Sequence, residues 1–137
     1  MNKNIFILLI TIALPFSLNA KTVAAKNSVD FITPKNNQTV KSPFKVKMKV
    51  SGMKIKNAGE PDNGHTGHHH LLINGGWIEK GQIVPADETH LHFGKGQTET
   101  KLTLEPGEYN LILQFADGSH KSYGEEMSKT IHVKVVK

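Results

Sequence analysis

The chain has 137 residues, and its 17 basic residues against 12 acidic ones leave a net charge of +5. Every basic residue is lysine, so the bidentate arginine contacts that read phosphates and bases are missing, and nucleic acid is not an expected partner. There is no cysteine, which excludes disulfides, thiolate metal sites and a lipid-modified amino-terminal cysteine.

Residues 1–20 have the layout of a secretory signal peptide. Lys3 and the amino terminus supply positive charge, Ile5 to Leu14 is almost wholly apolar, and Pro15, Ser17 and Asn19 break the run before Ala20. The apolar run is shorter than the roughly 20 residues that cross a bilayer, so cleavage is expected rather than retention as an anchor. Ala20 is the first choice of cleavage site and Ala25 the second. About 115 residues then remain, enough for one domain with one core. The mature chain is expected to be periplasmic or secreted, with no stable membrane insertion.

Residues 21–28 read as a polar, mobile lead, and 29–137 as the folded domain. Val29 to Ile32 is a first strand, stopped by the turn formers Thr33-Pro34-Lys35-Asn36-Asn37. Phe44 to Val50 is the cleanest alternation in the chain. Phe44, Val46, Met48 and Val50 point one way and Lys45, Lys47 and Lys49 the other, which predicts a strand with one buried face. Residues 54–67 read as a loop. His68 to Ile73 and His90 to Phe93 are strands, and the long segment between them carries Trp77-Ile78 and Ile83-Val84, which should fold back over the end of a sheet. Thr98 to Leu104 and Tyr109 to Phe115 follow, joined by Glu105-Pro106-Gly107-Glu108, a turn that would suit a tyrosine corner. Ile131, Val133 and Val135 make the buried face of the last strand. With no sustained helical period, the expectation is an all-β, antiparallel immunoglobulin-like sandwich of about seven strands.

Six of the eight histidines lie between Gly64 and Phe93. Strand parity sorts them. If Leu71, Ile73, Leu91 and Phe93 face the core, then His68, His70, His90 and His92 share the outer face and His69 turns inward. Each His-x-His pair places two imidazoles on one side about 6.6–7 Å apart, and neighbouring strands bring such pairs within about 4.5–5.5 Å of one another. Flexible imidazoles at that spacing can converge on one ion. A set of nitrogen donors without thiolate suits Cu(II), Zn(II) or Ni(II), with copper favoured by intrinsic affinity; copper or zinc is the expected ion, and the predicted metal ligands are His68, His70, His90 and His92. His65 lies in a glycine-rich loop. His120 could join only if the Asp117-Gly118-Ser119-His120 loop folds towards the site, and His132 alternates outward.

Two other function classes fit the residues. One is a non-enzymatic envelope module in which the histidines are structural, and Trp77 and the lysine face contact an envelope protein or glycan. The other, less favoured, is a zinc hydrolase with Asp87 or Glu88 as base, a chemistry that needs three protein ligands and an open position.

The runs Gly67-His68-His69-His70-Leu71-Leu72-Ile73 and His90-Leu91-His92-Phe93-Gly94-Lys95-Gly96-Gln97-Thr98-Glu99, with Pro85-Ala86-Asp87-Glu88 between them, resemble a bacterial exported domain family of unknown function. The similarity extends from about Val29 to Val135 and implies a periplasmic or secreted setting without naming an activity. Pro106-Gly107-x-Tyr109, followed by Asp117-Gly118 and His120, is also similar to immunoglobulin-like periplasmic copper-resistance carriers. This chain departs from them by placing Ser119 before the histidine, and it has no histidine at the expected mature amino terminus.

Overall fold

A computed structural model describes residues 25–137, and the expected signal peptide lies outside them. The strands are β1 (Ser28–Thr33), β2 (Gln38–Lys41), β3 (Phe44–Ser51), β4 (Lys54–Ile55), β5 (Thr66–Ile73), β6 (His90–His92), β7 (Glu99–Leu102), β8 (Gly107–Ala116) and β9 (Ser128–Val136). The only helical turn among the described residues is a 3-10 turn at Glu125–Met127. Alternation does what it should in β3: Phe44, Val46 and Met48 are buried while Lys45 and Lys49 are exposed. The first strand starts at Ser28, one residue before the expected domain boundary.

Two sheets form. One has the order β1-β3-β7; the other runs β2-β9-β8-β5-β4, with β6 also paired to β5. Their inner faces meet in one core that includes Phe31, Val46, Met48, Leu71, Leu111, Leu113, Phe115 and Val133. Each fully buried side chain of this size contributes about 1.5–3 kcal/mol. This is the immunoglobulin-like sandwich expected from the turn spacing. Two pairings depart from pure antiparallel order, because β2 beside β9 and β4 beside β5 are parallel. Both arise where the chain crosses between sheets. Turns with left-handed residues at Asn37 and Gly52 deliver β2 and β4 to the second sheet without reversing them onto their predecessors.

The β7–β8 corner is fastened by Tyr109, whose hydroxyl donates to the Glu105 carbonyl at 3.0 Å. That is the tyrosine-corner bond expected from the Leu-x-Pro-Gly-x-Tyr run. Tyr109→Phe should cost about 1 kcal/mol, a fall of several degrees in thermal midpoint, with the far-UV spectrum unchanged. An unaltered midpoint would show the bond to be energetically idle.

A second apolar cluster sits on the outer face of the larger sheet. Leu72, Val84, Ile112 and Ala116 are buried there, with Trp77 and Ile78 packed on them. The segment between β5 and β6 therefore lies across the face of the sheet. It is held by Ile78 N–H to Gln114 Oε1 at 3.0 Å and by Ser122 Oγ–H to Ile78 O at 2.7 Å. Within the segment, Ile83 makes an isolated antiparallel bridge to Lys121.

Candidate metal centre

β5 is the strand that builds the site. It lies between β6 and β8, with His70 opposite His92 on one side and His68 opposite Ala116 on the other. Gly67 at its start permits the close approach to β8, since a Cβ there would run into the Ala116 carbonyl oxygen and the Phe115 ring. Both faces of β5 are buried. His69 turns into the core, edge-on to Phe115 with ring centroids 5.2 Å apart, and neither of its nitrogens has a partner. His68 and His70 take the opposite face, as parity requires. That face is not open to solvent, however: His68 is 0% exposed and His70 1%. The segments 74–89 and 117–123, which a strand-by-strand reading cannot place, cover it.

Four imidazoles converge. His70 Nε2 lies 3.0 Å from His68 Nε2, His92 Nε2 lies 3.1 Å from it, and His120 Nδ1 lies 3.2 Å from it. The four nitrogens all fall within 4.8 Å of one another, and the cluster can hold a metal ion. His92 comes from the exposed rim strand β6. His120 comes from the turn after β8, where it adopts a left-handed φ of 65°. Asp117 shapes that turn: its Oδ1 accepts from the Ser119 and Lys121 amides at 2.8 and 2.9 Å, and its carbonyl accepts from the His120 amide at 3.0 Å. The surrounding bonds thus hold a backbone conformation that is costly for a residue with a side chain.

Three of the four expected residues, His68, His70 and His92, come together, and His90 does not. His90 shares the outer face but stands opposite Leu72, two residues along from His92. Its Nδ1 lies 2.8 Å from Asp87 Oδ1 and 3.1 Å from Thr89 Oγ1, which hold the ring away from the cluster. His120 stands in the cluster instead. Its sequence signals were its place in a tight Asp-Gly-Ser-His turn and the resemblance of that run to copper-resistance carriers; the approach of the turn to β5 depends on long-range packing. His65 is exposed in its loop, and His132 pairs with Glu108 and Asn110 on the exposed side of the sheet. Asp87, one of the two candidate bases, is engaged with His90 and Thr89.

The electrostatics favour neutral rings. Burial, reinforced by the neighbouring imidazoles, pushes His68 down to about 4 and His70 to about 2, and it lowers His92 as well. Neutral imidazoles are the form that ligates metal. Hydrogen bonding alone does not account for the packing. A ring nitrogen offers one lone pair or one proton, so His68 Nε2 can engage one of its three neighbours at a time. Four nitrogens bound to an ion at about 2.0–2.1 Å would stand about 3.3–3.4 Å apart along a tetrahedral edge, close to the separations found around His68.

Fold and site together define an all-β sandwich carrying a four-imidazole cluster on the outer face of its larger sheet. The chain belongs to the family described as Domain of unknown function (DUF4399), which matches residues 46–136 and so includes all four histidines. Among solved structures it is similar to the endo-beta-1,4-mannanase from Thermotoga petrophila, at 17% identity and a TM-score of 0.54. The match covers 87% of this chain and 22% of that one, and at this identity the likeness is one of fold. No curated protein matches the chain.

Proposed function

We propose that the protein is an exported metal-binding protein that holds Cu(II) or Zn(II) through His68, His70, His92 and His120. The observation that carries this reading is the approach of three imidazole nitrogens to within 3.0–3.2 Å of His68 Nε2, more partners than one lone pair can serve. An all-nitrogen donor set without thiolate favours copper or zinc over iron–sulfur or calcium chemistry. The signal-like residues 1–20 support export to the periplasm or outside the cell.

The envelope-module reading draws less support. Trp77 packs on the Leu72, Val84, Ile112 and Ala116 cluster instead of standing free as a contact. On the lysine face, Lys45 and Lys47 pair with Glu99, and Lys49 with Asp30, at 3.3–3.8 Å. Titrating chelator-stripped protein with Cu(II) and Zn(II) tests the metal reading. One equivalent should bind, and the thermal midpoint should rise with ion concentration as binding to the native state requires. Absence of both effects for both ions would end it.

A further inference from the structure

We propose that the backbone strap Ala58-Gly59-Glu60 is the positioning element that sets the spacing of the two outer ligands, His92 and His120, and through it the choice of ion. This rests on the metal-binding reading above. The inner ligands need no such help, because His68 and His70 are fixed by one strand with partners on both sides. The outer two sit on separate elements, β6 and the turn after β8, on opposite flanks of β5.

Consecutive amides of the strap join those elements. Ala58 N–H donates to the Gly94 carbonyl, two residues beyond His92, at 2.8 Å. Gly59 N–H donates to the Gly118 carbonyl, two residues before His120, also at 2.8 Å. Both acceptors are glycines that leave no room for a side chain. A Cβ on Gly94 would strike His92 Nε2 and Cε1 and come within 3.1 Å of Ala58 Cβ; one on Gly118 would stand 2.5 Å from the Glu60 carbonyl oxygen. The strap lies directly against both carriers.

The strap is itself anchored at both ends. Upstream, β4 runs beside the start of β5, and Lys56 N–H reaches the Gly67 carbonyl at 2.8 Å. Downstream, Asp62 accepts from Thr66 Oγ1 at 3.1 Å and from the Tyr123 hydroxyl at 3.2 Å. The anchors lie on β5, which carries His68, and at Tyr123, three residues beyond His120, so the strap is a fixed rung between the flanks of the site. The His92 and His120 rings meet edge to face with centroids 4.4 Å apart. Tetrahedral coordination wants neighbouring nitrogens about 3.3–3.4 Å apart, whereas a square plane wants opposite nitrogens about 4.0–4.2 Å apart. The two geometries differ by about 0.6–0.9 Å in that separation, so a rung that fixes it selects between the one zinc accepts and the one Cu(II) prefers.

The test uses Gly94→Ala and Gly118→Ala, with Lys45→Ala as control because its side chain is exposed on the other sheet, where it pairs with Glu99. Kd for Cu(II) and for Zn(II) is measured by competition with a chelator, and the Cu(II) protein is examined by electron paramagnetic resonance. Each glycine variant should bind about tenfold or more weakly, with an altered Cu(II) spectrum and a changed Cu(II)-to-Zn(II) Kd ratio, while Lys45→Ala matches wild type. Unchanged spectra and ratios in both folded glycine variants would overturn the strap and leave the site standing. Failure of wild type to bind either ion would instead overturn the metal reading. Should the variants not fold, hydrogen exchange in unaltered protein decides: loading Zn(II) should slow exchange at the Ala58 and Gly59 amides several-fold, and no change there refutes the strap.

Discussion

Replacing His68 with alanine is expected to weaken ion binding by roughly 100-fold or more, the largest loss of any single histidine. A four-ligand zinc site is worth about 10–16 kcal/mol, or roughly 3 kcal/mol per ligand, and each 1.4 kcal/mol is about tenfold in Kd. His68 carries more than an equal share because its Nε2 is the hub from which the other three nitrogens are spaced. His90→Ala provides the contrast. Its ring is held by Asp87 and Thr89, so metal affinity should stay within error of wild type. Titration calorimetry on the two variants separates the site seen in the structure from the one that parity alone suggests. Equal losses would return His90 to the ligand set.

Acid should unfold the metal-free protein well above the pH at which carboxylates titrate. His68 and His69 are held at about 4 and His70 at about 2, in each case chiefly by burial, whereas an unfolded histidine titrates near 6.5. Above pH 6.5 both states are neutral at these positions and nothing is gained or lost. Below it the unfolded chain takes up protons that the native state refuses, so stability falls as pH drops from 6.5 towards 4. Each ring contributes up to about 1.4 kcal/mol per pH unit, roughly 4 kcal/mol per unit for three, against a total stability of about 5–15 kcal/mol. Thermal midpoints of chelator-stripped protein should therefore decline steeply between pH 6.5 and about 4.5. His69→Leu, which removes a buried imidazole with no hydrogen-bond partner, should raise the midpoint at pH 7 and flatten the decline. A midpoint constant from pH 7 to 5 would contradict the buried, neutral state of these rings.

Local patterns carried much of this structure. The Phe44-to-Val50 alternation specifies the buried and exposed faces of β3, and the Pro-Gly-x-Tyr run specifies a corner that Tyr109 closes. Two-residue periodicity also separates His69 from His68 and His70. What the sequence could not convey was which parts of the outer face would be covered, and by what. Coverage depends on where residues 74–89 and 117–123 settle, and they settle on Leu72, Ile112 and Ala116, which one-face patterning assigns to solvent. His120 was obscure for the same reason. Its place in the cluster follows from a left-handed turn stitched by Asp117 and from contact with a strap some 60 residues earlier in the chain, neither of which leaves a periodic trace. Parity gives the face of a strand without its register, and register places His90 opposite Leu72, away from the cluster.

Many exported sandwiches clamp their two sheets with a disulfide, and this chain has no cysteine with which to do so. The convergence of two other elements, β6 and the turn after β8, on His68 offers another kind of staple. An ion there would tie β5 to a residue 24 positions away and to another 52 positions away. Cross-links closing loops of such lengths remove about 3–5 kcal/mol of unfolded-chain entropy. With Zn(II), which has no redox chemistry, this staple would, unlike a disulfide, ignore the redox state of its surroundings and respond to the supply of ions.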